Sequence, residues 1–173
     1  MGLDINFFRI KREGYKKFQE KYDKADKAFS AYFNKLYKYY GELVYDAATE
    51  KEKAKLEELR KSIPNEEDFK EDVGYFRKVN FLIPFFDYEE DCSEQDISVA
   101  QLKELVRRCK IVLEERNEET SKEELPTTSG FFFGSTDYDE DYYDDVAEVK
   151  EWAEELIETT NEDTHRLVMY CWW

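Results

Sequence analysis

HRLVMYCWW, residues His165–Trp173, is rich in Val, Tyr and Trp, side chains that suit a pleated and partly buried surface, and it predicts a strand. Its counterpart is GLDINFFRI, residues Gly2–Ile10. There Leu3, Ile5 and Phe7 fall on one side and Asp4 and Asn6 on the other, the period of two expected of a half-buried strand. Two strands are too few for a free-standing sheet, so they are expected to pair with each other and to pack on helices. Most of the chain between them reads as helix. The fold expected is therefore α+β, mostly α: a helical bundle with a small sheet formed by the N- and C-terminal strands, in a single domain over residues 1–173.

The helices follow from apolar spacing. Tyr15, Phe18, Tyr22, Ala25, Phe29, Tyr32, Leu36, Tyr40 and Leu43 recur at steps of three and four, which predicts one long amphipathic helix with a ring-rich stripe facing the core. A second helix, about Thr49 to Ile63, has a thin apolar face of Ala54, Leu56, Leu59 and Ile63 and stops at Pro64. Asn65, with Asp68 three residues on, opens a third through Phe69, Val73, Phe76, Val79, Leu82 and Ile83, ended or kinked by Pro84. Asp87–Asp96 is acidic and loop-like. Ser98 and Gln101 form a capping box for a fourth helix buried through Leu102, Leu105, Val106, Cys109, Val112 and Leu113, with Arg107, Arg108 and Lys110 on a locally basic side. Asn117–Glu124 reads as a linker. A fifth helix runs from about Tyr138 to Thr159 through Val146, Val149, Trp152, Leu156 and Ile157, with Asp137 as its cap and Glu140 reaching back to the cap amide.

Aromatic residues make up 17% of the chain, with 13 Tyr and 13 Phe, so core and binding faces alike are expected to be built from rings. Three widely spaced cysteines, Cys92, Cys109 and Cys171, fit reduced thiols better than a disulfide framework. No apolar run reaches the length of a membrane span and no signal peptide is recognisable, which places the protein in the cytoplasm by expectation. The net charge of −16 is unevenly spread: residues 1–64 hold 15 Lys/Arg against 11 Asp/Glu, and residues 65–173 hold 11 against 31. A field of that sign repels nucleic acid and anionic membranes and hastens encounter with a basic surface. Its competing reading is a solvated face that serves solubility alone.

The densest chemistry lies in LPTTSGFFFGSTDYDEDYYDD, residues Leu125–Asp145. Gly130 and Gly134 bracket Phe131–Phe133, which are expected to form a short extended piece. This segment, the opening Met1-Gly-Leu-Asp4 and the Tyr75-Phe-Arg-Lys-Val-Asn80 stretch resemble a family of small proteins encoded by tailed phages and prophages. Members of that family begin MGLDMYL, carry a central W/Y-x-R-K-A-N stretch, and have LPTxSGFFFGSTxYDExYxxD before a final helix. The resemblance implies a phage or prophage protein working in the cytoplasm of a bacterial host. The family is generally uncharacterised, so it carries no activity over to this chain, and Lys11–Pro64 matches none of its motifs.

Candidate sites follow from residue types. Asp137, Asp139 and Asp141 alternate, and Glu148 follows eleven residues after Asp137, but a calcium loop needs glycine at its sixth position and Tyr142 stands there. One histidine and three scattered cysteines disfavour zinc, and no serine or cysteine sits in a nucleophile motif. No metal or cofactor is expected, and His165 is read as a structural strand residue. The expected function is that of a non-catalytic binding protein acting on host machinery in counter-defence. In its first form an acidic surface over Asp137–Glu162, with Asp141, Asp144 and Asp145, docks on a basic host protein. In the alternative, Arg77, Lys78, Thr128, Ser129, Phe131, Phe132, Phe133, Ser135 and Tyr138 form a pocket that sequesters a small nucleotide-like ligand, rings stacking on the base while cations and hydroxyls hold phosphate. Arg77 and Lys78 could instead form a salt bridge to the acidic fifth helix. A carboxylate-based hydrolase is a third reading, for which the sequence nominates no residue.

Overall fold

A computed structural model describes residues 2–173 and divides the chain into two compact units, where the sequence reading expects one domain. The first unit comprises the residues up to Lys11 together with Lys70–Trp173, and the second is Arg12–Phe69. The fold is α+β and mostly helical, and the two terminal strands pair at the centre of its sheet.

In the first unit, β1 (Asp4–Lys11), β2 (Lys70–Arg77), β3 (Glu94–Ile97) and β4 (His165–Trp172) form an antiparallel sheet in the order β2-β1-β4-β3. Ile5 lies opposite Cys171, Phe7 opposite Met169 and Arg9 opposite Leu167, so the inward residues of both terminal strands line up on one face. Against that face packs a core shared with two long helices, numbered in chain order α5 (Val99–Glu115) and α7 (Glu140–Thr159). Leu105, Cys109 and Val112 of the former and Val146, Val149 and Ala153 of the latter are fully or nearly fully buried. The Ser98–Gln101 capping box is present as expected, and α5 ends at Arg116 in a left-handed conformation.

Four expectations are corrected in this unit. Lys70–Arg77 is a strand where a third helix is expected, and Pro84 lies inside a single helical turn, α4 (Leu82–Phe85). The cause is a bulge. Phe7 faces Gly74 while Phe8 faces Asp72, so Val73 is an extra residue and the alternation is broken into the three-residue spacing of Val73 and Phe76. Gly74 leaves room for the Trp152 indole, whose ring nitrogen donates to the Val73 carbonyl at 2.7 Å. The acidic Asp87–Asp96 stretch contains β3, an edge strand held by Arg166 on Glu94 and Asp96 and by Gln95 donating to the Phe86 carbonyl. The linker-like Asn117–Glu124 is mostly helix, α6 (Glu118–Glu124), capped by Asn117. Finally, α7 is capped by Asp139 accepting from the Tyr142 amide, not by Asp137, because the Ser135 hydroxyl accepts from the Asp137 amide in a turn that keeps the chain out of the helix.

The second unit holds α1 (Tyr15–Tyr40), a short turn α2 (Val44–Ala47) and α3 (Glu50–Lys61), whose Thr49–Glu52 capping box fixes its start. The ring-rich stripe of α1 is expected to be core, yet only Phe18 and Leu36 of that helix are buried. At 1.5 Å per residue α1 is about 39 Å long and α3 about 18 Å, so α3 covers half of it at most. Leu36, Val44 and Leu56 form a three-residue core, with Phe29, Tyr32, Phe33 and Tyr40 half-buried around it. At the other end Phe18 packs against Phe69 with the rings tilted, centroids 4.8 Å apart.

No helix among the described residues is long and apolar enough to cross a membrane.

Candidate functional site

Three segments far apart in the chain meet at one end of the first unit's sheet: the start of β1, the end of β2 with its following turn, and the Leu125–Asp139 loop. The Lys78 amide donates to the Leu3 carbonyl at 2.8 Å, and the Leu3 amide to the Phe132 carbonyl at 3.0 Å. Asn80, 2% exposed, fastens the loop: its side-chain amide donates to the Phe133 and Ser135 carbonyls at 3.1 and 2.8 Å, and its oxygen accepts from the Thr128 amide at 3.2 Å. The loop is also closed on itself. The Tyr138 hydroxyl accepts from the Thr127 amide at 3.1 Å, and the Tyr142 hydroxyl donates to the Leu125 carbonyl at 2.9 Å.

Backbone conformation at this junction is special. Lys78 has φ 66°, in the left-handed region, and Gly134 has φ 90° with its missing side chain facing the Lys78 stem at 3.1 Å. Phe131–Phe133 are not an extended piece. They form a tight turn in which the Phe133 amide donates to the Gly130 carbonyl, and a Cβ at Gly130 would lie 2.6 Å from the Phe133 ring. Phe133 is buried edge-on against Trp173, Phe132 is half-buried, and Phe131 stands 94% exposed.

Behind the loop lies a cavity of about 210 Å³, lined by Lys78, Asn80, Ser135 and Tyr142 together with Asp137, Asp139, Asp141 and Asp145. Burial, and then repulsion from Glu148, Asp141, Asp144 and Asp139, pushes the Asp145 carboxyl up to about 6. Among the described residues none of Asp137, Asp139, Asp141, Asp144, Asp145 and Glu148 has a cationic group within 4 Å, although Lys78 lines the same cavity. Some carboxylates of this unit are instead paired. Glu104 is held down at about 2 by Arg107 and Arg108, Glu154 is lowered by Lys110 and Lys150, and Glu140 meets Arg116.

Of the residues proposed from sequence for a nucleotide pocket, Lys78 and Ser135 line this cavity. Thr128 gives its amide to Asn80, Tyr138 spends its hydroxyl on Thr127, Ser129 is exposed outside the lining, and the three Phe rings lie away from it. Arg77 does not reach α7. It lies 3.9 Å from Asp4, a buried carboxylate that also accepts from the Tyr75 hydroxyl. Lys78 likewise forms no ion pair with α7, so the salt bridge expected of these two cations is absent. Asp141 and Asp145 line the cavity and Asp144 is exposed beside it. Asn80 and Asp4 organise the site, and sequence reasoning gave them no role. Asp4 and Asn80 close the Met1–Asp4 and Tyr75–Asn80 segments singled out in the sequence, and that place is the only signal for them. No group of three or more His, Cys, Asp or Glu among the described residues is gathered to hold a metal ion. Comparison with protein-family models, curated proteins and solved structures returns no match for this chain.

Proposed function

We propose that the protein is a non-catalytic binding protein of phage or prophage type that docks the acidic N-terminal half of α7, with its cavity, on a basic surface of a host protein. One observation carries this reading: Asp137, Asp139, Asp141 and Asp145 converge on one cavity with no cation within 4 Å of any of them among the described residues, and burial and mutual repulsion push the Asp145 carboxyl up to about 6. Such a cluster repels itself in the free protein, and a cationic partner relieves that repulsion on binding. The phage setting rests on the resemblance of the Met1–Asp4, Tyr75–Asn80 and Leu125–Asp145 segments to that family. Sequestration of a nucleotide-like ligand is less supported, because four carboxylates in the cavity oppose a phosphate.

The test is recovery of the tagged chain from a bacterial host extract followed by native mass spectrometry. A bound protein is expected at about 0.1 M salt and lost at about 1 M, where the screening length falls from about 10 to about 3 Å. It should also be lost from the Asp141→Asn/Asp144→Asn/Asp145→Asn variant. Retention by that variant, or a small added mass sensitive to Phe132→Ala in place of a protein, would overturn the proposal.

A further inference from the structure

The outer face of the first unit's sheet, away from α5 and α7, is closed over one half and open over the other. Over the half that holds Phe8 and Val168, Lys70 lies 4.0 Å from the centroid of the Phe8 ring and pairs with Glu94, which also takes Arg166. Over the other half the strand register sets Asn6 between Tyr75 and Tyr170, and Asp4 between Arg77 and Trp172. No ion network roofs this half: Tyr75 is 54% exposed and Trp172 44%.

Asp4 holds the open half together. Its side chain is only 8% exposed, it accepts from the Tyr75 hydroxyl, and the Arg77 guanidinium, on a side chain 54% exposed, lies 3.9 Å from it. Asp4 stands two residues along β1 from Asn6, the register partner of Tyr75, so that hydrogen bond lays the Tyr75 ring across β1 with one face toward solvent. At 3.9 Å Arg77 is ion-paired without being hydrogen-bonded, and neither its guanidinium nor the Asn6 amide has a hydrogen-bond partner among the described residues. Two exposed rings, a free amide and a guanidinium with free donors are thus gathered about one buried carboxylate.

We infer that this half of the sheet is a binding site for a purine nucleoside monophosphate. The base lies on the Tyr75 face beside Trp172, since an aromatic ring stacks on the π-face of any base. Asn6 meets the base edge, because its amide offers a donor and an acceptor together, as adenine requires. Arg77 takes the phosphate through its parallel N–H groups. Charge limits the ligand to a single nucleotide. Glu94 and Asp96 of this face are paired with Lys70 and Arg166, and Asp141 and Asp145 belong to α7, which packs on the opposite face, so the exposed cation beside the rings serves one phosphate. A longer strand would run into the field of a chain of net charge −16, which repels a polyanion. Tyr75, Asn6, Arg77 and Trp172 are absent from the cavity lining, and the site stands independently of the docking proposed above.

Isothermal titration calorimetry of the full chain with AMP at about 0.1 M salt tests this. One site per chain is expected, with a Kd of about 1 mM or tighter. Adenosine, which lacks the phosphate, and ribose 5-phosphate, which lacks the base, should each bind about tenfold more weakly or worse. Arg77→Gln should bring AMP down to the affinity of adenosine and leave adenosine itself unchanged. Trp172→Leu, at an exposed position, should weaken AMP and adenosine alike by about tenfold, with an unchanged far-ultraviolet circular dichroism spectrum. The Asp141→Asn/Asp144→Asn/Asp145→Asn variant should keep its affinity for AMP, which separates this site from the docking surface. Absence of binding up to about 10 mM AMP overturns the inference, as does binding that both Arg77→Gln and Trp172→Leu leave intact or that the triple variant loses. An oligoadenylate that binds more tightly than AMP overturns it in favour of single-stranded nucleic acid.

Discussion

Asn80→Ala should be the most damaging single polar substitution in the first unit. It removes two donors and one acceptor at once, leaving the Phe133 and Ser135 carbonyls and the Thr128 amide without their partner. An orphaned buried backbone group costs about 1–3 kcal/mol. The bond to Phe133 is fully buried while the other two are partly exposed, where water recovers part of the loss, so the total expected is about 3–4 kcal/mol. At a urea dependence of about 2 kcal/mol per molar, the midpoint falls by about 1.5–2 M. Tryptophan fluorescence is the assay of choice, because Trp152, Trp172 and Trp173 all belong to the first unit and report its unfolding alone. Asn80→Asp should be no better than alanine. It keeps an acceptor for Thr128 but turns a carboxylate oxygen toward two carbonyl oxygens. A midpoint lowered by less than about 0.5 M, equivalent to about 1 kcal/mol, would refute the reasoning and mean that the loop closes without Asn80.

Gly74→Ala should lower the stability of the same unit by about 1–3 kcal/mol, since a Cβ there would lie 2.8 Å from Cε2 of Trp152, and the emission of the native protein should change as the indole is displaced. Native alkylation followed by mass spectrometry should add one group at exposed Cys92 and three groups after denaturation, because burial pushes the Cys109 and Cys171 thiols up to about 12. For Asp145 the native carboxyl titrates at about 6 against 3.8 in the unfolded chain, so the folded state holds more protons between those values and this residue's contribution falls as pH rises from about 4 to about 6. Asp145→Asn should accordingly raise the urea midpoint at pH 7 and leave it unchanged near pH 4; an equal effect at both would refute the assignment. Ser98→Ala, which removes one half of the α5 capping box, should cost about 1 kcal/mol by the same fluorescence assay.

The terminal strands were legible because their partners are each other. Ile5 and Phe7, opposite Cys171 and Met169, alternate cleanly with Asn6 and Phe8, and no insertion disturbs that register. At β2 the bulge destroys the period that the reading depends on. Val73 and Phe76 sit three apart as helix residues do, and only Gly74, which costs a helix interior about 1 kcal/mol relative to alanine, together with the β-formers Val73, Tyr75 and Phe76, hinted at a strand. The α1 stripe was read correctly as amphipathic and wrongly as core. Periodicity specifies a face, whereas burial depends on whether another element is long enough to cover it, and α3 is less than half the length of α1.

The site was legible as a location and not as an arrangement. Its three motif segments are visible in the chain, but the hydrogen bonds that join them run between backbone groups and one asparagine, and backbone groups carry no sequence signal. That is also why hydroxyls and rings that suit a phosphate pocket on paper are occupied otherwise: Tyr138 and Thr127 close the loop, and Phe133 packs on Trp173. The carboxylates follow the same logic. Sequence gives their sum, and the fold separates those met by a cation from another element, as Glu154 is by Lys110 and Glu140 by Arg116, from those left facing one another around Asp145. The second set alone converges on one cavity and repels itself there, so its neutralisation, not that of scattered surface acids, should abolish docking on a basic partner.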